Sequence, residues 1–401
     1  MTDLGVGEDL ELRRANPHHR PWKLTDDERA VYRRMSQASR EAKLRAVRGE
    51  GPAPLHAINE PRFDPLALMP ARPRHALRSL SLFSGGGGLD LGFDLAGFDH
   101  QASYELLEEA ARTLLTNRPA WTVHGGVSGD VTKVNWRQWK GLVDVIHGGP
   151  PCQPFSIAGR QRGAHDERDM FPTFVDAVRT IEPRAFVAEN VAALGGAKFR
   201  PYLQEIVLGP LSGKYRITRL DLRAERFGIP QQRRRMVLVG FRRQTDADRW
   251  TPPAATHRPR AVAVDAELPI GTDLPLPRCM GTREALGLPD IGWDAPAPTI
   301  RSSLTGPRHT TSILNSVSSR SVWERLQVWP NGVAPTREAA RAFVATSGHF
   351  RLSVPDVALL QGFPASWPFH GAVYMALGQI GNAVPPPLGY VVASSVAAAL
   401  I

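Results

Sequence analysis

An open α/β fold is what this sequence predicts, on three observations. Leu80-Ser81-Leu82-Phe83 runs straight into Ser84-Gly85-Gly86-Gly87-Gly88-Leu89-Asp90-Leu91-Gly92, a strand that stops in glycines and restarts as a helix. A second strand ends at Tyr104-Glu105, roughly 20 residues further on, where α/β nucleotide sites place their ribose-binding acid. A third, Leu142-Val143-Asp144-Val145-Ile146, is apolar, β-branched and closed by Gly148-Gly149. In open α/β sheets ligands bind outside the carboxyl ends of the strands, so the turns after these three strands are the places to look for chemistry.

Composition narrows the setting. At 401 residues the chain can hold two domains plus appendages at ~100–200 residues each. Lys and Arg number 49 against 39 Asp and Glu, and the resulting +10 and pI near 10.1 favour a polyanionic partner such as nucleic acid. Two cysteines, Cys152 and Cys279, are too few for a disulfide framework and lack metal-ligand spacing, so a reducing cytoplasm is expected and no metal. No signal peptide is apparent, and no apolar run is read as reaching the ~18 residues of a membrane span.

Taken in order, residues 1–77 read as a basic, partly helical and partly mobile extension, with a helix from Thr25 towards Arg48. Its Arg33, Arg34, Arg40, Lys43, Arg45 and Arg48 suit a solvated face better than a ligand contact. After the glycine turn and Glu105, a helix is expected from Leu107 to Asn117, then the short pattern Gly129-Asp130-Val131. The strand at 142–146 leads into His147-Gly148-Gly149-Pro150-Pro151-Cys152-Gln153-Pro154-Phe155-Ser156. Prolines fix their own φ and bar a strand or helix interior, so Cys152 lies on a stiff loop rather than in a core. Residues 157–169 are polar, with Arg160, Gln161 and Arg162. Ala185-Phe186-Val187-Ala188-Glu189-Asn190-Val191 is a further strand, and a glutamate at its end is expensive to bury unless used. Gln231-Gln232-Arg233-Arg234-Arg235 precedes the strand Met236–Gly240; strand alternation would turn Arg233 and Arg235 into one cleft and Arg234 away. Periodicity fades from Arg242 to about Phe350, where Trp293, Arg301, Arg308, His309, Trp323 and Trp329 suit core or turn positions better than base contacts. It returns at Arg351–Pro364 and in the apolar C-terminal helix after Gly381-Asn382-Ala383-Val384-Pro385-Pro386.

Seven of these motifs, in this order, resemble the cytosine-5 DNA methyltransferase family of the bacterial restriction–modification type, over about Ser79 to the C-terminus. The resemblance implies a Rossmann-like S-adenosylmethionine-dependent methyltransferase domain with a smaller, irregular target-recognition domain. It implies Cys152 as the nucleophile of a Pro-Cys-Gln motif and Glu189 as the acid touching the target base. Arg233 and Arg235 would ease charge on that base and hold the adjacent phosphate. S-adenosylmethionine would lie among Phe83, Gly85, Gly87, Gly88, Leu89, Glu105, Asp130, Pro150, Asn382 and Val384. DNA would be met by Ser156, Arg160, Gln161, Arg162, Asn190 and Gln231, with Asn190 also ordering the cysteine loop. The implied domains are 1–77, an extension; 78–243, catalytic and cofactor-binding; 244–365, target recognition; and 366–401, a segment completing the catalytic domain. Partners would be double-stranded DNA and, functionally, a restriction endonuclease, for a cytoplasmic monomer. A tRNA cytosine-5 methyltransferase on the same scaffold and a catalytically silent DNA-binding relative are the rival readings, with a dehydrogenase more distant. The Ala, Arg and Pro content hints at a GC-rich bacterial genome.

Overall fold

A computed structural model describes residues 58–151, 169–260, 276–302, 310–341 and 349–401, with isolated positions between 26 and 41. The chain forms two compact units. The first, Met1–Ala53 with Thr305–His309, is described at six positions from Asp26 to Glu41, all helical, where Gln37 donates to Glu41 one turn on at 3.1 Å. The second, residues 54–304 and 310–401, carries everything that follows.

Its centre is a seven-stranded sheet. The strands are β1 (Arg78–Leu82), β2 (Asp99–Glu105), β3 (Val123–Gly125), β4 (Val145–Gly148), β5 (Ala185–Val191), β6 (Arg216–Arg223) and, after the two-residue β7 (Gln231–Gln232), β8 (Arg234–Phe241). They lie in the order β3-β2-β1-β4-β5-β8-β6, and β8 alone runs against its neighbours. The chain proceeds from β1 outward to β2 and β3, then returns to β4 on the other flank of β1. The sheet therefore switches direction between β1 and β4, and the turns after those two strands open on one crevice at their carboxyl ends.

The central strands are buried on both faces, which is why they read as nearly continuous apolar runs. On one face Leu80, Leu82, Ile146, Phe186, Ala188, Met236 and Leu238 pack with helix Phe171–Ile181. On the other, Val145, Val187, Val237, Val239 and Phe241 meet α1 (Gly88–Leu95) and the C-terminal helix. The helix after β2 is α2 (Glu108–Asn117), and the C-terminal pair is Val373–Asn382 and Pro386–Leu400. By length and composition Val373–Leu400 could cross a membrane, which corrects the expectation that no stretch could. It breaks after Asn382, and most of it is buried inside the fold, as a core helix pair is.

Order also appears where periodicity had faded. Between β8 and the C-terminal helices lie helix Val317–Arg325, a parallel pair of β10 (Val328–Ala334) and β11 (Phe350–Ser353), and helix Val354–Leu360, after a small β9 (Ala297–Pro298) that pairs β7. They share a third core containing Leu286, Trp323, Leu352 and Phe363, joined by Leu91 and Leu114 from the helices beside the sheet. Trp323 is core, Trp293 lies under Arg325 at 4.2 Å, and Trp329 meets His349 edge-on; Arg308 and His309 fall outside the described residues. From residue 58 onward the expected mobile extension is instead a strap. Arg62 and Phe63 N–H groups donate to Ala285 O (3.0 and 3.2 Å), Asn59 to the buried Asp356 (3.0 Å), and Arg72 N–H to Leu95 O (2.8 Å).

Helix Pro386–Leu400 seats on α1 through an absence. A Cβ at Gly92 would stand 2.5 Å from Tyr390 N and 2.6 Å from Gly389 C, both backbone atoms that cannot swing aside. Helix propensity alone makes Gly92→Ala stabilising by about 1 kcal/mol. Packing reverses the sign, and Gly92→Ala should lose about 1–3 kcal/mol in urea unfolding, as overpacked cores do; a gain in stability would show that the two helices do not meet this closely.

Candidate active site

The first wall of the crevice is the turn after β1. Phe83 there takes φ +57°, the left-handed region a side chain rarely enters, and Gly85 and Gly87 continue it at +56° and +85°. A Cβ at Gly85 would meet nothing within 4 Å, so this glycine faces open space, whereas one at Gly88 would collide with Val384 O at 2.0 Å. The turn is tied to β2 by Glu105. Its two carboxylate oxygens accept from Gly85 N (2.6 Å) and Leu107 N (2.7 Å), and burial pushes its pKa up. Beneath the turn lies Asp90, a residue the sequence analysis passed over. It accepts from Ser103 Oγ at 2.9 Å, and full burial raises its pKa to about 6.

Asp130 lies near by but off a strand. It follows β3 by a short 3₁₀ turn, and its carboxylate accepts from Thr132 N–H (3.1 Å) and hydroxyl (2.6 Å), beside Lys133. Those Thr132 bonds are the main reason its pKa falls. Gly129 holds this loop against β2, since a Cβ there would stand 2.2 Å from Glu105 O. Leu89 is different from expectation. Its side chain belongs to the core with Phe93 and Val384, so only its backbone can border the crevice.

The second wall is the start of the cysteine loop. His147, the last residue but one of β4, is fully buried, stacked on Phe93 at 4.0 Å and kept neutral by burial. Beyond it, Asn190 Nδ2 donates to Pro150 O at 2.9 Å, and a Cβ at Gly149 would stand 3.1 Å from Glu189 Oε2. The end of β5 thus pins the two residues that lead into Pro151 and Cys152. Cys152, Ser156, Arg160, Gln161 and Arg162 lie outside the described residues.

Glu189 and Arg235 meet at the carboxyl end of β5. Arg235 stands opposite Val191 on antiparallel β8, and its Nε lies 2.6 Å from Glu189 Oε1, with both side chains about one-tenth exposed. The two groups form a close ion pair held out of water. Burial raises the Glu189 pKa; Arg235 and then Arg233 oppose the rise without cancelling it. Burial thus favours the protonated form of this carboxyl, the form that can donate to a base.

Two expected roles change. Arg233 is wholly enclosed, its guanidinium donating to Gly381 O and Ala383 O (2.8 Å each) and to Ile300 O (3.3 Å), so it cannot reach a phosphate. It holds the carbonyls on either side of Asn382, whose side chain is exposed. Gln231 is equally enclosed, donating to Leu360 O and Gln361 Oε1 and accepting from Ile300 N, so it joins β7 to the smaller core instead of meeting DNA. Arg234, expected to point away, is exposed.

Comparison with known proteins fits this geometry. Residues 77–268 and 294–398 match the family model described as C-5 cytosine-specific DNA methylase. The chain belongs to that family. Within it, this methylase is 33% identical over 329 residues to the type II methyltransferase M.NgoMIV of Neisseria gonorrhoeae, covering 80% of this chain and 97% of the relative. It is also 33% identical over 320 residues to type II methyltransferase M.AplI of Arthrospira platensis, covering 79% and 84%. A crystal structure of a prophage-encoded DNA modification methyltransferase of Escherichia coli superposes with TM-score 0.53 at 24% identity, over 81% of this chain and 99% of that one, and shows the shared fold.

The altered role of Arg233 can be checked. Arg233→Met strips donors from buried carbonyls, each costing about 1–3 kcal/mol when left unpaired, so urea unfolding should show a loss of about 3 kcal/mol or more. The slope of log binding constant against log salt on duplex DNA should stay unchanged, because no phosphate contact is lost. A slope shallower by about 1 with stability intact would return Arg233 to the DNA.

Proposed function

We propose that this DNA cytosine-5 methyltransferase modifies cytosine within a specific duplex sequence, with Cys152 as nucleophile, Glu189 as acid and S-adenosylmethionine as methyl donor. The observation that carries the reading is the Glu189–Arg235 pair set against Gly149 and Pro150, at the mouth of the cysteine loop and across the switch point from the Glu105-tied glycine turn.

The crevice suits the cofactor. Glu105 is a buried acceptor at the end of β2, which supports the reading that it takes ribose hydroxyls; Gly85 leaves open space; and Leu106, next to Glu105, and Val127, two residues before Gly129, expose apolar side chains. Phe83, Gly85, Gly87 and Gly88, with Glu105, Asp130, Pro150, Asn382 and Val384, would hold it, Leu89 and Gly88 contributing backbone. When bound, S-adenosylmethionine supplies an electrophilic methyl group on a sulfonium.

The chain's own residues supply the rest. Carbon 5 of cytosine is a poor nucleophile within an aromatic ring. The Cys152 thiolate adds to carbon 6, breaking the carbon 5–carbon 6 double bond and giving carbon 5 enamine character. Glu189, carrying or sharing a proton with ring nitrogen 3, takes up the charge of that addition, and its raised pKa fits it to the task. Arg235 holds the carboxyl in place and adds positive potential where negative charge develops. Once carbon 5 has its methyl, loss of its proton restores the double bond and expels the Cys152 thiolate. A base in duplex DNA must be flipped out to enter such a crevice, at about a few kcal/mol. Target choice falls to residues 244–365, since the catalytic motifs are occupied with base and cofactor. Similarity to named type II methyltransferases supports a restriction–modification role, in which a cytoplasmic enzyme, acting as a monomer, protects host sites from a cognate endonuclease.

Bisulfite sequencing of DNA from cells expressing the protein tests this directly. Wild type should protect cytosine at one recurring sequence, Cys152→Ala should protect none while still binding duplex, and Glu189→Gln should turn over about 10²–10⁴-fold more slowly. Cys152→Ala within tenfold of wild type would remove the thiol from the mechanism.

A further inference from the structure

The glycine turn is also shaped by a segment that no motif described, Trp367–His370. Trp367 is buried, and its indole N–H donates to Gly86 O at 3.0 Å. A Cβ at Gly87 would stand 2.7 Å from the Trp367 ring, and one at Gly86 would stand 2.8 Å from the Phe369 ring and 3.2 Å from Gln379 Cβ. The two middle glycines are therefore bare because aromatic rings occupy the space a side chain would need. Only Gly85 looks outward.

The same four residues are clasped from behind. Asn117 Nδ2 donates to Pro368 O (2.9 Å), and His370 N–H donates to Thr113 Oγ1 (2.8 Å). Thr113 in turn donates to Gln379 Oε1 (2.8 Å), and Gln379 Nε2 donates to His370 O (2.9 Å). Thr113 and Asn117 stand on α2, the helix that starts just after Glu105, and Gln379 on the helix that ends in Asn382. Arg118 lies over the Trp367 ring at 5.2 Å and Phe363 beside it at 6.4 Å, so the indole has little freedom to move. Glu105 thus fixes one edge of the turn at Gly85 N and Trp367 fixes the next carbonyl along, at Gly86 O.

We propose that Trp367 is a positioning residue for the methyl donor: its N–H and ring hold Gly86 and Gly87 so that Gly85 and its neighbours present a preformed cofactor surface. A turn with two left-handed glycines has many conformations to lose, and a tether that removes them in advance saves that loss on binding. The inference rests on the reading of this turn as the cofactor site.

Trp367→Phe keeps an aromatic ring and deletes the N–H. Titration calorimetry with S-adenosylmethionine should show binding weakened about tenfold, a size in line with one lost buried hydrogen bond. KM for S-adenosylmethionine should rise in step, with kcat at saturation and affinity for duplex DNA within twofold of wild type. Glu105→Gln serves as the reference for the site itself. If Glu105→Gln weakens the cofactor and Trp367→Phe does not, the positioning role is overturned and the site stands. If neither weakens it, the reading of the turn falls first. A parallel fall in kcat, DNA affinity and melting temperature would make Trp367 a packing residue only and also overturns the proposal. Should Trp367→Phe not fold, Asn117→Ala, which loosens the clasp from outside the core, takes its place with the same expected rise in KM and the same overturning result if KM is unmoved.

Discussion

The site depends on a carboxylate and a guanidinium kept together out of water. Taking Glu189 and Arg235 from solvent costs several kcal/mol per ion before their attraction is counted, and such pairs rarely contribute net stability. Here they stand 2.6 Å apart near the end of a strand whose residues 185–188 are apolar on both faces. An apolar pair would fold as well or better. What an apolar pair would not provide is a carboxyl with a raised pKa beside the two residues that lead into Pro151 and Cys152. The sheet is the mount of this carboxyl.

The mount is closed by the last residues of the chain. Arg233, next but one to Arg235, reaches through the interior to the carbonyls of Gly381 and Ala383, and Val384 O rests where a side chain on Gly88 would be. The C-terminal helix then lies on α1, with Gly92 against the Gly389–Tyr390 backbone. One of these arginines therefore lies against Glu189 and the other serves the architecture, although only Arg234 separates them in sequence. Distance to solvent decides which is which, and burial of the Arg233 guanidinium on carbonyl oxygens leaves it nothing to offer a phosphate.

Much of this was legible in the residues themselves. Strands buried on both faces announce themselves as apolar runs, so β1, β4, β5 and β8 were visible, as were the glycine turn and the acid ending β2. Proline chemistry assigns Cys152 to a loop, although that residue lies outside the described residues. Other features hid for physical reasons. Alternation along a strand turns Arg234 outward, yet it says nothing of depth, and Arg233, enclosed on carbonyl oxygens, precedes the strand in any case. The resemblance assigned Gln231 to DNA, and its partners, Leu360 and Gln361, are too distant in sequence to have shown otherwise. The core around Trp323 and Leu352 escaped notice because its elements are short and its two strands are parallel, joined by a connection rather than a hairpin. Trp367 gave no signal at all. Its importance lies in what two glycines lack, and a missing side chain has no periodicity to detect.

The central claim is that a thiol on the loop held by Glu189 and Asn190 attacks the target base. Duplex DNA carrying 5-fluorocytosine at the modified position tests it, since fluorine cannot leave as a proton does and elimination stops with the bond intact. Incubation with S-adenosylmethionine followed by proteolysis and mass spectrometry should give an adduct on the peptide containing Cys152. The chain's other thiol is an internal control, because Cys279 is buried, donates to Ile229 O at 3.2 Å and has its pKa pushed up to about 12. No adduct from an enzyme that methylates unfluorinated duplex, or an adduct on Cys279, would contradict the account.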